Sequence, residues 1–118
     1  MKKNKVIFMV FIAFLLITGC TTQKPLYYWG NYSKLLYKYN KKPSVESRTA
    51  FKNQLLNIII ESKKEKLNVP PGVYAEYGYI LYLEGMNDPA ISAFNKEKEV
   101  YPESSAYVDM VMEQLKLK

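Results

Sequence analysis

The chain contains no histidine and a single cysteine, Cys20. The commonest metal ligands and every Ser-His or Cys-His nucleophile arrangement are therefore missing. Carboxylate pairs remain for acid–base work. Glu61 and Glu65 stand four residues apart on a helical stretch, and Glu99 and Glu103 stand four apart with Pro102 between them. Both pairs are interleaved with lysines such as Lys63, Lys64, Lys66, Lys96 and Lys98, the pattern of a solvated surface. A glycosidase-like acid and base would have to face each other across a groove. Gly30, Gly72, Gly78 and Gly85 are isolated and build no phosphate-binding loop. These residues point to a non-enzymatic protein with no metal and no cofactor. A cell-wall-acting enzyme using Glu61 or Glu65 is the remote alternative.

Cys20 has a different chemistry in view. It follows a positive tip (Lys2, Lys3, Lys5), an uncharged apolar run from Val6 to Ile17, and Gly19. The run is shorter than the about 20 residues of a comfortable membrane span, and the order of features is that of an export signal. The exit Ile17-Thr18-Gly19-Cys20 resembles the lipobox of bacterial lipoprotein precursors, with Ile17 where leucine is usual. The resemblance implies cleavage before Cys20, a diacylglycerol thioether on its sulfur and acylation of the new amine. One acyl chain anchors weakly, each buried methylene adding about 0.8 kcal/mol, and a second makes attachment durable. On this reading residues 1–19 are a signal peptide, 20–26 a lipid-anchored leader and 27–118 one helical domain. Thr21, and not aspartate, follows the cysteine. By the lipoprotein resemblance this permits passage to the periplasmic face of the outer membrane, with the inner membrane as the alternative. Loss of the three signal lysines leaves 14 of 17 basic side chains against 11 acidic ones, a net charge of +3 instead of +6. The basic residues are scattered among acidic ones, which argues against a nucleic-acid partner.

The aromatic residues carry the binding signal. All 11 tyrosines lie after the expected signal. Tyrosine offers contact area and a hydroxyl at low conformational cost, as interfaces require. Tyr28, Trp29 and Tyr32 crowd the start of the domain, and Tyr79 and Tyr82 project to a flank of a later helix. These five are the candidate partner-binding residues. For Tyr27 to Trp29 the choice lies between packing as a lid and contact with a partner or lipid headgroups. For Tyr79 and Tyr82 it lies between a neighbouring helix and an exposed surface.

Those side chains must be positioned by helices. Tyr32, Leu35, Leu36 and Tyr39 recur at helical spacing, with Asn31 as the expected cap and Gly30 as the break before it. Ser44 opens a long helix to about Lys66, with Phe51, Leu55, Ile58 and Ile59 on one stripe. "KLNVPPG" ends it, and Val73 to Leu83 is helical again. Gly85 suits a helix C-terminus. Asp88 followed by Pro89 is the expected start of the next helix, and Pro102 its end. Ser104 or Ser105 is expected to cap a last helix bearing Val108, Val111, Met112 and Leu115. About five short to medium helices joined by short loops make an all-α stack of antiparallel hairpins.

Within that stack, Tyr74, Tyr77, Gly78, Leu81, Ala90, Phe94 and Pro102 resemble a tetratricopeptide repeat, whose pattern is W-x2-L-G-x2-Y, A-x3-F, P. Tyr74 takes the tryptophan position, Tyr77 the leucine position and Leu81 the tyrosine position. Glu97 departs from the pattern, standing where alanine is usual. The resemblance implies that Gly78 and Ala90 are small so that two helices approach closely while Tyr74, Tyr77, Leu81 and Phe94 fill the space around them.

The order lipobox, "YYWGNYSKLLY" and repeat-like C-terminal half is similar to that of a family of small bacterial outer-membrane lipoproteins with a Tyr-Trp-Gly segment. Members tend to be encoded beside a curli-secretion-pore-like lipoprotein and another small lipoprotein. The resemblance implies membrane lipid, other envelope lipoproteins and such a pore-like protein as partners. The expected function is a lipid-anchored binding module that assists assembly or stability of an envelope complex. The alternative is a permanent structural subunit of an outer-membrane, secretion-like complex.

Overall fold

The computed structural model describes residues 1–15 and 22–118. Cys20, Thr21 and the lipobox lie outside the described residues. Among the described residues every regular element is helical. They are α1 (Lys2–Leu15), α2 (Tyr32–Lys41), α3 (Val45–Lys64), α4 (Val73–Leu83), α5 (Asn87–Val100), a 3₁₀ turn (Pro102–Ser104) and α6 (Ser105–Gln114). None of these helices is long and apolar enough to cross a membrane. Helices α2 to α6 are the five expected, and consecutive ones pack against each other as antiparallel, tetratricopeptide-like hairpins.

Local chemistry sets most of the ends. Ser44 accepts from the Ser47 N–H at 3.1 Å, and Ser47 returns the bond to the Ser44 N–H at 2.9 Å, a reciprocal cap that starts α3. At the end of α4 the Met86 N–H reaches the Leu81 carbonyl (3.0 Å) and the Gly85 N–H reaches Tyr82 (2.9 Å). This paired closure needs a left-handed residue, and Gly85 supplies it at φ 77°. The same closure ends α3 two residues before the expected Lys66. There Lys66 takes φ 55° and the Leu67 N–H bonds the Ser62 carbonyl at 2.8 Å.

Three expected caps differ. Asn31 precedes α2, but its side chain makes no capping bond. Helix α5 starts at Asn87, so Asp88 and Pro89 lie inside its first turn instead of at its boundary. First-turn N–H groups lack helical acceptors in any case, so Pro89 costs nothing there and Asp88 complements the positive helix end. Ser104 donates to the Tyr101 carbonyl (2.7 Å), closing the 3₁₀ turn, and caps nothing in α6.

Two apolar clusters form the core, and α4 belongs to both. Val73, Tyr74 and Ile80 join Phe51, Leu55, Ile58 and Ile59 of α3. Leu81 joins Ala90, Ala93 and Phe94 of α5, with Val108 and Leu117 from the last helix region. Tyr77 is partly buried and packs against both clusters. A helix apolar on all sides is one that must be buried, and α4 occupies the centre of the stack accordingly. Helix α4 approaches α5 closely at Gly78. A Cβ there would lie 3.1 Å from the Ala90 carbonyl oxygen and 3.3 Å from both Ala93 Cβ and Phe94 Cδ2. Leucine at this position would have to force the hairpin open, at a cost of about 1–3 kcal/mol for overpacking. Gly78→Leu is therefore expected to lower the thermal midpoint, followed by circular dichroism, by about 5–15 °C for a domain of this size.

Candidate functional site

Gly72, at the start of α4, and Ala75, Glu76 and Tyr79 along it line an open side of the helix. It looks into a trough of about 570 Å³. Leu36, Tyr39 and Phe51 of the first hairpin form one wall. The stripe Tyr107, Val111 and Gln114 of α6, with Leu115 at its C-terminal cap, forms the other, at the helical spacing of i, i+4, i+7, i+8. Tyr79 is 43 % and Tyr107 62 % exposed, although both line an apolar concavity. A second cavity of about 310 Å³ adjoins the trough, sharing Gly72, Ala75, Tyr107 and Val108 with it, and extends to Glu97, Tyr101 and Glu103. No lysine or arginine lines either cavity, in a chain with 17 basic residues.

Two carboxylates, Glu76 on the trough and Glu97 on the adjoining cavity, are each held by a bond from another element. The Tyr32 hydroxyl donates to both oxygens of Glu76, at 2.8 and 2.9 Å. Burial pushes the Glu76 carboxyl up; the Tyr32 hydrogen bond opposes the shift and the Glu97 charge adds to it. Tyr32 itself is held well above the ordinary tyrosine range, by burial first and then by the bond and charge of Glu76, so it stays a donor. Glu97 is 2 % exposed. Its Oε1 accepts the Gly72 N–H at 2.7 Å, tying α5 to the start of α4, while Oε2 accepts from no described residue. Tyr101 donates to the Val69 carbonyl at 2.6 Å and closes the same loop onto α5. Burial raises Tyr101 too, followed by the neighbouring Tyr27 hydroxyl and then by Glu97 and Glu103.

The sequence-derived candidates divide. Tyr79 lines the trough, and Tyr32 reaches it through Glu76. Tyr28 packs on the first core cluster, its hydroxyl accepting from Asn57 Nδ2 at 3.3 Å. Trp29, 41 % exposed, sits between Tyr27 and Tyr32, with ring centroids 6.3 and 5.0 Å away. The turn beneath Trp29 needs glycine. Gly30 has φ 51°, a Cβ on it would fall 2.5 Å from Gln54 Nε2, and that amide donates to the Trp29 carbonyl at 3.3 Å. Tyr82 does not line the trough and is partly buried against the second cluster. Of the repeat positions, Tyr74, Gly78, Leu81, Ala90 and Phe94 are buried, Tyr77 is partly so, and Pro102 opens the 3₁₀ turn. Glu61 pairs with Lys64 at 3.3 Å and Glu99 with Lys96 at 2.8 Å, so the two sequence-level carboxylate pairs are surface charge. Glu65 and Glu103 are likewise exposed. No group of three or more His, Cys, Asp or Glu suited to a metal occurs among the described residues.

A family model described as a domain of unknown function (DUF4810) matches residues 26–111. The chain belongs to that family. No curated protein and no solved structure matches it. The DUF4810 match takes in the Tyr-Trp-Gly turn, the whole of α4 and both carboxylates, and reaches α6 as far as Val111. Cys20 precedes it.

Sequence reasoning missed Glu76, Tyr39 and Tyr107 as members of the site. A polar residue on the otherwise apolar α4 was the available signal for Glu76. An acid whose folded value is raised stabilises the fold below the ordinary carboxylate range and loses that contribution as pH rises through the raised value. Glu76→Gln keeps an acceptor for Tyr32 and removes the buried charge. The variant should therefore be more stable than wild type at neutral pH, with the difference shrinking as pH falls toward about 4, where wild-type Glu76 is protonated. Urea titrations at several pH values measure it.

Proposed function

We propose that the protein is a non-enzymatic, lipid-anchored binding module that holds a segment of a partner protein in the trough between α2–α3 and α6. The exposed aromatic pair Tyr79 and Tyr107, on an apolar concavity, carries this reading. Apolar surface left in a concave site is where a helix or extended segment of a partner docks. Antiparallel helical hairpins present such extended inner faces when stacked. The two carboxylates are separately held by Tyr32 and Gly72, which favours recognition over turnover.

Acylation of Cys20, motivated by the lipobox resemblance, would confine the module to a bacterial membrane surface, on our reading the periplasmic face of the outer membrane. Confinement raises its effective concentration toward partners in the same bilayer, with no new contact needed. Other envelope lipoproteins, including a pore-like secretion lipoprotein, fit such a neighbourhood. The module would then assist assembly or stability of their complex.

A photo-crosslinking side chain installed at Tyr79 or Tyr107 in the native cell is expected to yield a discrete adduct with an envelope protein. The same side chain at Tyr37, 64 % exposed and outside the trough, is expected to yield none. Equal adduct patterns from all three positions, or none from any, would overturn the docking reading. Intact mass of the membrane-extracted protein tests the anchor: a start at Cys20 carrying acyl mass is expected, and an unmodified Cys20 would remove it.

A further inference from the structure

We propose that the end of the domain where α3 finishes is its membrane-facing surface, and that Lys24, Lys63, Lys64 and Lys66 there receive the phosphates of anionic phospholipids. This rests on the acylation of Cys20 proposed above and on no property of the trough.

The leader is fastened along α3. The Trp29 carbonyl accepts from Gln54 Nε2 at 3.3 Å, and the Tyr28 hydroxyl accepts from Asn57 Nδ2 at 3.3 Å. Lys24 Nζ donates to the Glu65 carbonyl at 2.7 Å, satisfying an acceptor at the helix end. The contacts advance along α3 from Gln54 to Glu65 while the leader runs back from Trp29 to Lys24, so the two are antiparallel. The lengths agree. Asn57 to Glu65 rises about 12 Å in a helix, and Tyr28 to Lys24 spans at most about 14 Å when extended. The leader is therefore a strap aimed at the C-terminal end of α3. Cys20 stands four residues before Lys24, so it lies no further than about 14 Å from it, whatever path the chain takes between them. Acyl chains on Cys20 bring the bilayer to this end of the domain.

That end is basic. Lys63 and Lys64 close α3, and Lys66 follows in the left-handed turn; all three are exposed, as is Lys24. Glu61 and Glu65 are the acids interleaved with them, and Glu61 already pairs with Lys64 at 3.3 Å. Lys63 and Lys66 pair with no carboxylate among the described residues. Four ammonium groups against two carboxylates leave the patch positive where the anchor emerges. Leu26, 70 % exposed beside Lys24, adds an apolar side chain to it. A basic cluster attracts anionic headgroups only within about a Debye length, about 8 Å at physiological salt. A free leader over residues 20–29 would let the domain drift about 35 Å from the bilayer, out of that range. The strap keeps the lysines close. Durable attachment commonly joins acyl chains to a basic patch, and here the two signals converge on one end of one helix. That convergence selects a phospholipid surface over an acidic protein as the partner of these lysines.

The test uses the acylated protein extracted from native membranes and reconstituted into two kinds of vesicle. One is pure phosphatidylcholine; the other is three parts phosphatidylcholine to one part phosphatidylglycerol. Lysines are acetylated briefly, and the extent at each is read by mass spectrometry. On the anionic vesicles Lys24, Lys63, Lys64 and Lys66 are expected to react several-fold more slowly than on the neutral ones, and high salt should remove the difference. Lys38, Lys41 and Lys42, at the other end of α3 and about 30 Å away, should react equally on both. Combining Lys63→Gln, Lys64→Gln and Lys66→Gln should abolish the protection of Lys24. Combining Lys38→Gln, Lys41→Gln and Lys42→Gln should leave it intact. Equal rates on the two vesicles for the wild-type patch, or equal protection of the α2 lysines, would overturn the proposal without recourse to any variant. Protection in native membranes but on neither vesicle would assign the patch to an acidic protein, and would overturn the lipid assignment as well. Intact mass of the same preparation separates the two readings. An unmodified Cys20 removes the anchor and this surface with it, whereas an acylated Cys20 with unprotected lysines overturns the surface alone.

Discussion

The close approach of α4 to α5 at Gly78 is the constraint from which the rest of the architecture follows. With the Ala90 carbonyl 3.1 Å from where a Cβ would be, the two helices are pressed together along one side of α4. That contact turns Leu81 toward α5 and leaves Val73, Tyr74 and Ile80 to pack with α3. The remaining face, Gly72 to Tyr79, is covered only in part, by Tyr32 over Glu76 and by Glu97 at Gly72, and Tyr79 stays exposed. The trough is thus the geometric remainder of tight packing elsewhere, floored by core residues such as Phe51, Ile80 and Val108 and rimmed by the more exposed Tyr79 and Tyr107.

The carboxylates turn that remainder into a defined surface. Tyr32 and Glu76 are separated by 44 residues, and Gly72 and Glu97 by 25. Each bond crosses between helices at the edge of the trough. Together with Tyr101 on the Val69 carbonyl, they fix the loop after α3 and the start of α4 against α5. Burying these acids is costly unless they are bonded, and Glu76 is bonded at both oxygens while Glu97 is bonded at one. The polar character of the site is therefore built into the fold and does not wait on a flexible surface side chain.

Much of the fold was legible because its determinants are local. Ser44, Gly85 and the apolar spacing of α3 and α4 act within a turn or two, and the Gly78, Ala90, Phe94 pattern records one helix pair. The start of α5 was misplaced because Asp88-Pro89 is compatible with two positions in a first turn, and only the chain's path after Gly85 chooses between them. The site was less legible. Helical spacing brings out carboxylates four residues apart on one helix, such as Glu61 and Glu65, whereas Glu76 and Glu97 come from different helices. Glu97 was visible as a departure from the repeat pattern, but nothing local reveals that its partner is the Gly72 N–H. Tyr82 and Tyr79 are three residues apart and looked alike. The packing of the second cluster leaves Tyr82 partly buried against it, while Tyr79 lines the trough.

The central claim is that the trough is covered when the protein is in its native surroundings. Hydroxyl-radical footprinting of tyrosine side chains, comparing intact native membranes with the purified protein, tests it directly. Tyr79 and Tyr107 should be oxidised at least several-fold more slowly in the membrane sample, while Tyr37, 64 % exposed and outside the trough, should react equally in both. Equal oxidation of Tyr79 and Tyr107 in the two samples would contradict the account.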